Sequence, residues 1–236
     1  MISKELLRST VADFGVVLNE KQLDIFDKYA EMLVEWNKKF NLTAIKSPDD
    51  IVIKHFADSL LIMKSVRFSY GQKLIDVGTG AGFPGIPLLI ANNDIDVTFL
   101  DSTGKKLIFI DAVLNEIGLS GKTIVGRAEE IGQKPDYREK FDYSTARAVS
   151  ELKVAAELCL PLVKQGGSFI AMKGAKALEE ADSAKNAIEL LGGTIDKYDT
   201  ASLPYAGERT VFLIKKISQT STKYPRNYSQ ITKHPL

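Results

Sequence analysis

The feature that most constrains this chain is the run Leu74-Ile-Asp-Val-Gly-Thr-Gly-Ala-Gly-Phe-Pro-Gly-Ile-Pro87. A short apolar strand leads into glycines at 78, 80, 82 and 85, and an apolar helical stretch follows. Glycines at such a junction let backbone N–H groups approach a ligand closely, with the N-terminus of the next helix behind them. Pro84 and Pro87 fall in the first helical turn, where a missing N–H costs little. A plain strand–helix turn has no packing use for so many glycines. The loop therefore predicts a ligand at the carboxyl end of the first strand of an open α/β sheet.

The rest of the pattern agrees. Short β-rich runs at 73–77, 96–100, 122–126, 141–145, 167–172, 194–199 and 210–217 predict seven strands, with helices at 84–92, 104–118, 151–164 and 176–191. This alternation implies right-handed βαβ units and a mainly parallel sheet covered on both faces. Gly192-Gly193 ends the last helix, and two adjacent strands turning near Leu203-Pro204-Tyr205 predict an antiparallel edge. Before residue 67 the chain reads as helical. Leu7, Val11 and Phe14 share one face, and Leu23, Phe26, Ala30, Leu33, Asn37 and Phe40 share another. Asn19 with Gln22 resembles a capping box, and Ser47-Pro48-Asp49-Asp50 is a helix start. The expected divisions are a helical segment over 1–67, an α/β domain over 68–217 and a tail over 218–236.

Composition enters as a set of exclusions. With 44% hydrophobic and 26% charged residues among 236, the chain is neither disordered, collagenous nor coiled-coil. A single cysteine excludes a disulfide framework and a Cys-rich zinc site, and fits a reducing compartment. His55 and His234 are the only histidines, which leaves little for a His-based triad or a metal centre. Lys4, Glu5 and Arg8 interrupt the start, and glycines and prolines break the longest uncharged stretch, Val77 to Asn93. Neither a secretion signal nor a membrane span is expected, a cytoplasmic location is the reading, and a monomer is the working expectation. The net charge of +1 hides an asymmetry: Lys215, Lys216, Lys223, Arg226 and Lys233 have no acid near them in the last 22 residues. A basic tail on a slightly acidic body points to a polyanionic partner, with Tyr224 and Tyr228 as stacking surfaces; a solvated terminus is the plainer alternative.

Two ligand classes compete for the loop. Gly80, Gly82 and Gly85 satisfy the dinucleotide pattern G-x-G-x-x-G, but a lone match is weak. Asp76, two residues before the first glycine, would repel a pyrophosphate; it suits a cationic ligand such as the amino-acid part of S-adenosylmethionine. No Gly-Lys-Ser/Thr follows, so a phosphate-cradling loop is excluded. Asp101, closing the second strand, can accept from both ribose hydroxyls or can cap the helix that begins near Gly104. Ala128 and Glu129 would border the adenine, Glu129 otherwise being an ordinary first-turn helix acid.

Taken together, these residues resemble a known family. Asp76-Val-Gly-Thr-Gly-Ala-Gly-Phe-Pro-Gly85, Leu100-Asp101-Ser102, Arg127-Ala-Glu129 and Thr145-Ala-Arg147-Ala-Val149 are similar to the bacterial 16S ribosomal RNA guanine-N7 methyltransferases, formerly glucose-inhibited division protein B. The likeness continues in Trp36 to Ala44, Lys54-His55-Phe-Ala-Asp58-Ser59, Met172-Lys173-Gly174, Glu208-Arg209 and Lys223-Tyr-Pro225-Arg226. It implies a class I, Rossmann-like methyltransferase fold preceded by a helical segment. It also implies methylation of the guanine at conventional position 527, with S-adenosylmethionine as cofactor and 16S rRNA or the small ribosomal subunit as partner. By position it places the cofactor against Gly78, Phe83, Asp101, Ser102, Ala128, Glu129 and Arg147. Two stretches depart from the pattern. After Tyr-Pro-Arg the family has Gly-Thr-Pro where this chain reads Asn227-Tyr-Ser-Gln-Ile-Thr-Lys-His234, and Tyr143-Ser144 replaces an apolar pair.

Guanine N7 carries a lone pair and no proton, so its methylation needs positioning and desolvation, not a general base. Cys159, within an apolar helix, reads as core and not as the nucleophile of a pyrimidine C5 enzyme. Arg147 suits a guanine edge or the cofactor carboxylate, and Lys173 could reach guanine O6 or a phosphate. His55 with Asp58 is expected as a satisfied helix pair, and Trp36 and Phe40 as core. An NAD-type oxidoreductase and a non-catalytic RNA-binding module remain the alternatives.

Overall fold

The protein is described by a computed structural model over residues 1–147 and 150–236. Ala148 and Val149, the end of the Arg147 motif, lie outside the described residues. The chain begins with α1 (Lys4–Ala12) and α2 (Glu20–Phe40), then passes through α3 (Pro48–Ile51), a π-helical turn (Val52–Ala57), α4 (Asp58–Leu60) and α5 (Ile62–Ser65). The α/β body follows: β1 (Lys73–Val77), α6 (Gly85–Ala91), β2 (Asp96–Asp101), α7 (Gly104–Ile117), β3 (Lys122–Val125), α8 (Ala128–Ile131), β4 (Phe141–Arg147), α9 (Leu152–Cys159), β5 (Val163–Lys173), α10 (Ala177–Leu190), β6 (Gly193–Leu203) and β7 (Gly207–Lys216). A last helix, α11 (Tyr228–Lys233), lies in the tail.

The sheet has seven strands in the order β3-β2-β1-β4-β5-β7-β6. Pairings are parallel except at β7, which runs antiparallel to β5 and β6 and forms the expected edge. This is the class I methyltransferase sheet. The helix expected over 151–164 ends at Cys159 and passes through a 3-10 turn at Leu160–Leu162, because Pro161 cannot continue the backbone ladder. β5 consequently starts four residues early, with Val163 beside Phe141.

Strand residues alternate between two cores, as a period of two requires. Leu74, Phe99, Ile170 and Val211 face one side, with the N-terminal helices, α6 and α7. Ile75, Leu100, Phe169 and Phe212 face the other, with α9, α10 and the tail. The N-terminal helices are part of the first core. Phe26, Tyr29 and Phe56 are fully buried, and Tyr29 lies 5.4 Å from the Phe83 ring of the glycine loop. Gln22, besides completing the capping box with Asn19, donates to the carbonyls of Ile90 and Ala91 at the end of α6. Trp36 packs on Phe109, while Phe40, expected in the core, is exposed at the helix end.

Candidate active site: two clefts joined by Arg147

Strand order reverses between β1 and β4, and open α/β sheets bind ligands outside the carboxyl ends of strands at such a switch. The glycine loop leaves β1 there. Gly78 and Thr79 donate to the Leu100 carbonyl at 2.8 and 3.1 Å, pinning the loop to β2. Gly78, Gly80 and Gly82 adopt φ of 68°, 62° and 99°, which L side chains rarely tolerate. The glycines divide by task. A Cβ on Gly82 would lie 2.5 Å from Ile86, and one on Gly85 would lie 2.5 Å from the Phe99 ring. These two allow close packing, contrary to the expectation that the glycines serve the ligand alone. A Cβ on Gly80 would meet nothing closer than the Gly78 carbonyl at 4.0 Å, so Gly80 faces open space.

Asp76 lies under this loop, fully buried. Its Oδ2 accepts from the Thr79 hydroxyl at 2.6 Å and from the Gly85 N–H at 2.9 Å, while Oδ1 has no partner. Burial raises its pKa to about 6, against the pull of those two hydrogen bonds. The carboxylate thus braces the loop from beneath and lies outside the lining of the adjoining cleft.

That cleft, about 370 Å³, is floored by Val77, Leu100 and Leu158 and walled by Gly78, Asp101, Ser102, Lys106, Gly126, Arg127, Ala128, Glu129, Arg147 and Tyr228. Asp101 is 5% exposed. Its Oδ2 accepts from Gly80 N–H at 3.0 Å and pairs with Lys106 at 3.3 Å, and its Oδ1 accepts from Thr103 N–H at 2.9 Å. It ties the glycine loop to the start of α7 and still offers two oxygens to a diol. Glu129, 7% exposed, is fixed by Arg127 at 2.5 Å. An apolar floor, a buried carboxylate and an open glycine surface are what a nucleoside ligand would need, and Gly78, Asp101, Ser102, Ala128, Glu129 and Arg147 are the expected residues that line the cleft and could hold one. Gly80, Gly82 and Phe83, also expected at the cofactor, are not among the residues that line it.

A second cleft, about 620 Å³, is lined by Ile45, Lys54, His55, Asp58, Arg147, Ser150, Met172, Lys173, Gly174, Glu180 and Arg209. Arg147 lines both clefts. Its Nη1 donates to the Lys54 carbonyl and to Asp58 Oδ2, each at 3.0 Å, and its Nη2 donates to His55 Nδ1 at 3.1 Å. Its guanidinium stands 4.8 Å over the Phe83 ring, which in turn stacks on His55 at 4.2 Å. Accepting at Nδ1, His55 keeps its proton on Nε2 for Thr43 Oγ1, 2.9 Å away. Burial and the Arg147 cation lower the His55 pKa to about 3, so the ring is neutral. The expected His55–Asp58 pair does not form. Asp58 is instead shared by Arg147 and Arg209, whose Nε donates to Oδ1 at 2.9 Å.

Other expectations also change. Lys173 does not project freely into the second cleft, because it pairs with Glu180 at 2.8 Å and donates to the Ser150 carbonyl. Cys159 is fully buried with its thiol pKa pushed well up by burial, as a core residue requires. Two of the five basic residues of the last 22 have acidic partners. Arg226 pairs with the buried Glu157 at 2.7 Å, and Lys216 is buried beside Glu139 at 3.3 Å, its pKa lowered by burial to about 8. Tyr224 is core, and Tyr228 reaches the first cleft. Sequence reasoning left Asp58 and Arg209 out of the site, although both sit in quoted motifs; only the fold brings them to Arg147. It had no signal for Arg127 and Tyr228 together.

Comparison with known proteins completes the picture. The family model described as rRNA small subunit methyltransferase G matches residues 22–209. The protein named ribosomal RNA small subunit methyltransferase G from Acetivibrio thermocellus is 47% identical over 99% of this chain and 96% of its own length. Its namesake from Lactobacillus delbrueckii subsp. bulgaricus is 44% identical over the full length of both. Among solved structures, a 16S rRNA (adenine(1408)-N(1))-methyltransferase from Catenulisporales acidiphilia is similar in fold, with a TM-score of 0.52 at 14% identity over 65% of this chain and 88% of that one. TYW2 of M. jannaschii, solved in complex with AdoMet, has a TM-score of 0.50 at 14% identity over 63% and 71%. Likeness of this extent along the whole sequence means that the chain belongs to the rRNA small subunit methyltransferase G family.

Proposed function

We propose that the two clefts serve one transfer: S-adenosylmethionine is held in the first, and a guanine of small-subunit rRNA, at conventional position 527 of 16S rRNA, presents N7 in the second. The chain is an rRNA methyltransferase whose methyl donor is S-adenosylmethionine. The single observation that carries the two-cleft reading is Arg147, which lines both cavities and is held by three acceptors over Phe83.

The bound cofactor supplies an electrophilic methyl group, and guanine N7 offers a lone pair with no proton to remove. The protein's work is therefore orientation and exclusion of water. A neutral His55, acting only as acceptor and hydroxyl partner, agrees with a reaction that needs no base. Asp58 balances two arginines, so the cation beside the reacting base is partly neutralised while the ring gains positive charge. Lys54 and Arg209 at the second cleft present cations to the phosphates flanking the base, which set affinity and not sequence. Among the described residues no helix is long and apolar enough to cross a membrane, and the proposed working form is a cytoplasmic monomer.

The test is transfer of isotope-labelled methyl from S-adenosylmethionine to small ribosomal subunits that lack the modification, followed by mapping of the labelled nucleotide. Wild type should label guanine 527 at N7, and Arg147→Lys should lose at least about tenfold in rate, because an ammonium cannot reproduce the fork. Labelling of another nucleotide, or full activity in the variant, contradicts this assignment.

A further inference from the structure

The stretch just after Arg226 comes to the first cleft, where Tyr228 is among the lining residues. Arg226 is locked by Glu157, donating from its backbone N–H and from Nε, each at 2.9 Å, and from Nη2 at 2.7 Å. The next residue, Asn227, caps α11 by accepting from the Gln230 N–H at 3.0 Å, and Ile231 anchors the helix in the second core. The residue after Glu157 on α9 is Leu158, which floors the cleft. Pin and floor are thus neighbours on one helix, and the first residue of α11 is delivered to the cleft wall. That residue is Tyr228.

Tyr228 lines the cleft together with Gly126, Arg127, Ala128 and Glu129. The Arg127 guanidinium lies 4.7 Å over its ring, and Glu129 Oε1 accepts from Arg127 Nε at 2.5 Å. Carboxylate, guanidinium and phenol ring are thus linked in series, and Tyr228 is 38% exposed and borders the cavity. With Asp101 taken for the ribose and Gly78 with Arg147 for the amino-acid end, these lining residues are the ones left for the base.

We propose that Tyr228 is a cofactor-binding residue: its ring, steadied by Arg127, forms the outer wall of the adenine subsite. The proposal rests on the assignment of the first cleft to S-adenosylmethionine. It also gives the tail a different employment from RNA capture, since Arg226 serves to hold Tyr228 in place. The ring contributes by face or edge contact with the base, not through its hydroxyl, for which no hydrogen bond is needed.

The test is calorimetric titration of the full-length protein with S-adenosylmethionine, and separately with adenosine, for wild type, Tyr228→Phe, Tyr228→Leu and Tyr228→Ala. Loss of an aromatic contact with a base predicts a rise in Kd of about tenfold for Ala, less for Leu, and no more than about twofold for Phe. The same ranking is expected for adenosine, because the affected contact is to the base. Denaturant unfolding of each variant checks that the fold is kept, and Leu preserves apolar bulk should Ala disturb α11. Unchanged Kd in Ala and Leu overturns the role of Tyr228 while leaving the cleft assignment intact. Failure of the wild type to bind S-adenosylmethionine overturns the cleft assignment itself, and the two outcomes are read from different proteins.

Discussion

At the scale of single residues the site depends on how few polar groups are left free. Arg147 spends its fork on a backbone carbonyl, a carboxylate and an imidazole, so its position is set before any ligand arrives. His55 must be neutral to accept from it, which ties stability to pH. Its pKa falls from 6.5 in the unfolded chain to about 3 in the fold. Between those values the unfolded chain binds a proton that native His55 refuses. The contribution is therefore complete above pH 6.5 and is lost as pH falls through that window, with a slope of at most about 1.4 kcal/mol per pH unit. In His55→Gln the stability advantage of the wild type should shrink steadily when unfolding is measured from pH 7 down to pH 4. A constant difference would mean that the ring is charged in the native state.

At the scale of elements, the N-terminal helices act as a brace for the glycine loop. Tyr29 on α2 is fully buried, and its hydroxyl donates to the Ala81 carbonyl at 2.6 Å. Tyr29→Phe removes the donor and leaves that carbonyl unsatisfied, which should cost about 1–3 kcal/mol in urea unfolding and weaken S-adenosylmethionine binding. A stability loss without any change in affinity would separate the brace from the cofactor site. Much of this was legible in the sequence. The Asn19–Gln22 capping box, the Ser47 cap and the strand–glycine–helix junction rest on local rules, and each appears where those rules place it. The π-helical turn at Val52–Ala57 was not legible, because apolar spacing barely changes across one wide turn. It carries His55 and the Lys54 carbonyl that holds Arg147. The sharing of Asp58 between Arg147 and Arg209 was hidden for another reason: these residues are 89 and 151 positions apart along the chain.

At the scale of the whole molecule, part of the charge counted along the chain is met in space by acids from the body. The last 22 residues hold five cations and no acid, but Glu157 and Glu139 come from the body to meet Arg226 and Lys216. The tail is held against the second core and borders the first cleft. Glu157 is fully buried, so Arg226→Ala strands a carboxylate in the interior and should destabilise the protein by about 3 kcal/mol, the low end for a broken buried pair because Arg226 is partly exposed. The loss should persist at high salt, since a buried pair is screened little. An unchanged unfolding midpoint with weakened, salt-dependent RNA binding would return Arg226 to a phosphate-contacting role. Whether this fold methylates N7 of one guanine in small-subunit rRNA is decided by mass-spectrometric mapping of 16S rRNA from cells with and without the gene. 7-Methylguanosine is expected at conventional position 527 in the first and unmodified guanosine in the second, with the methyl group restored by the wild-type chain and at most slowly by Arg147→Lys. Retention of the methyl group in cells lacking the protein would contradict it.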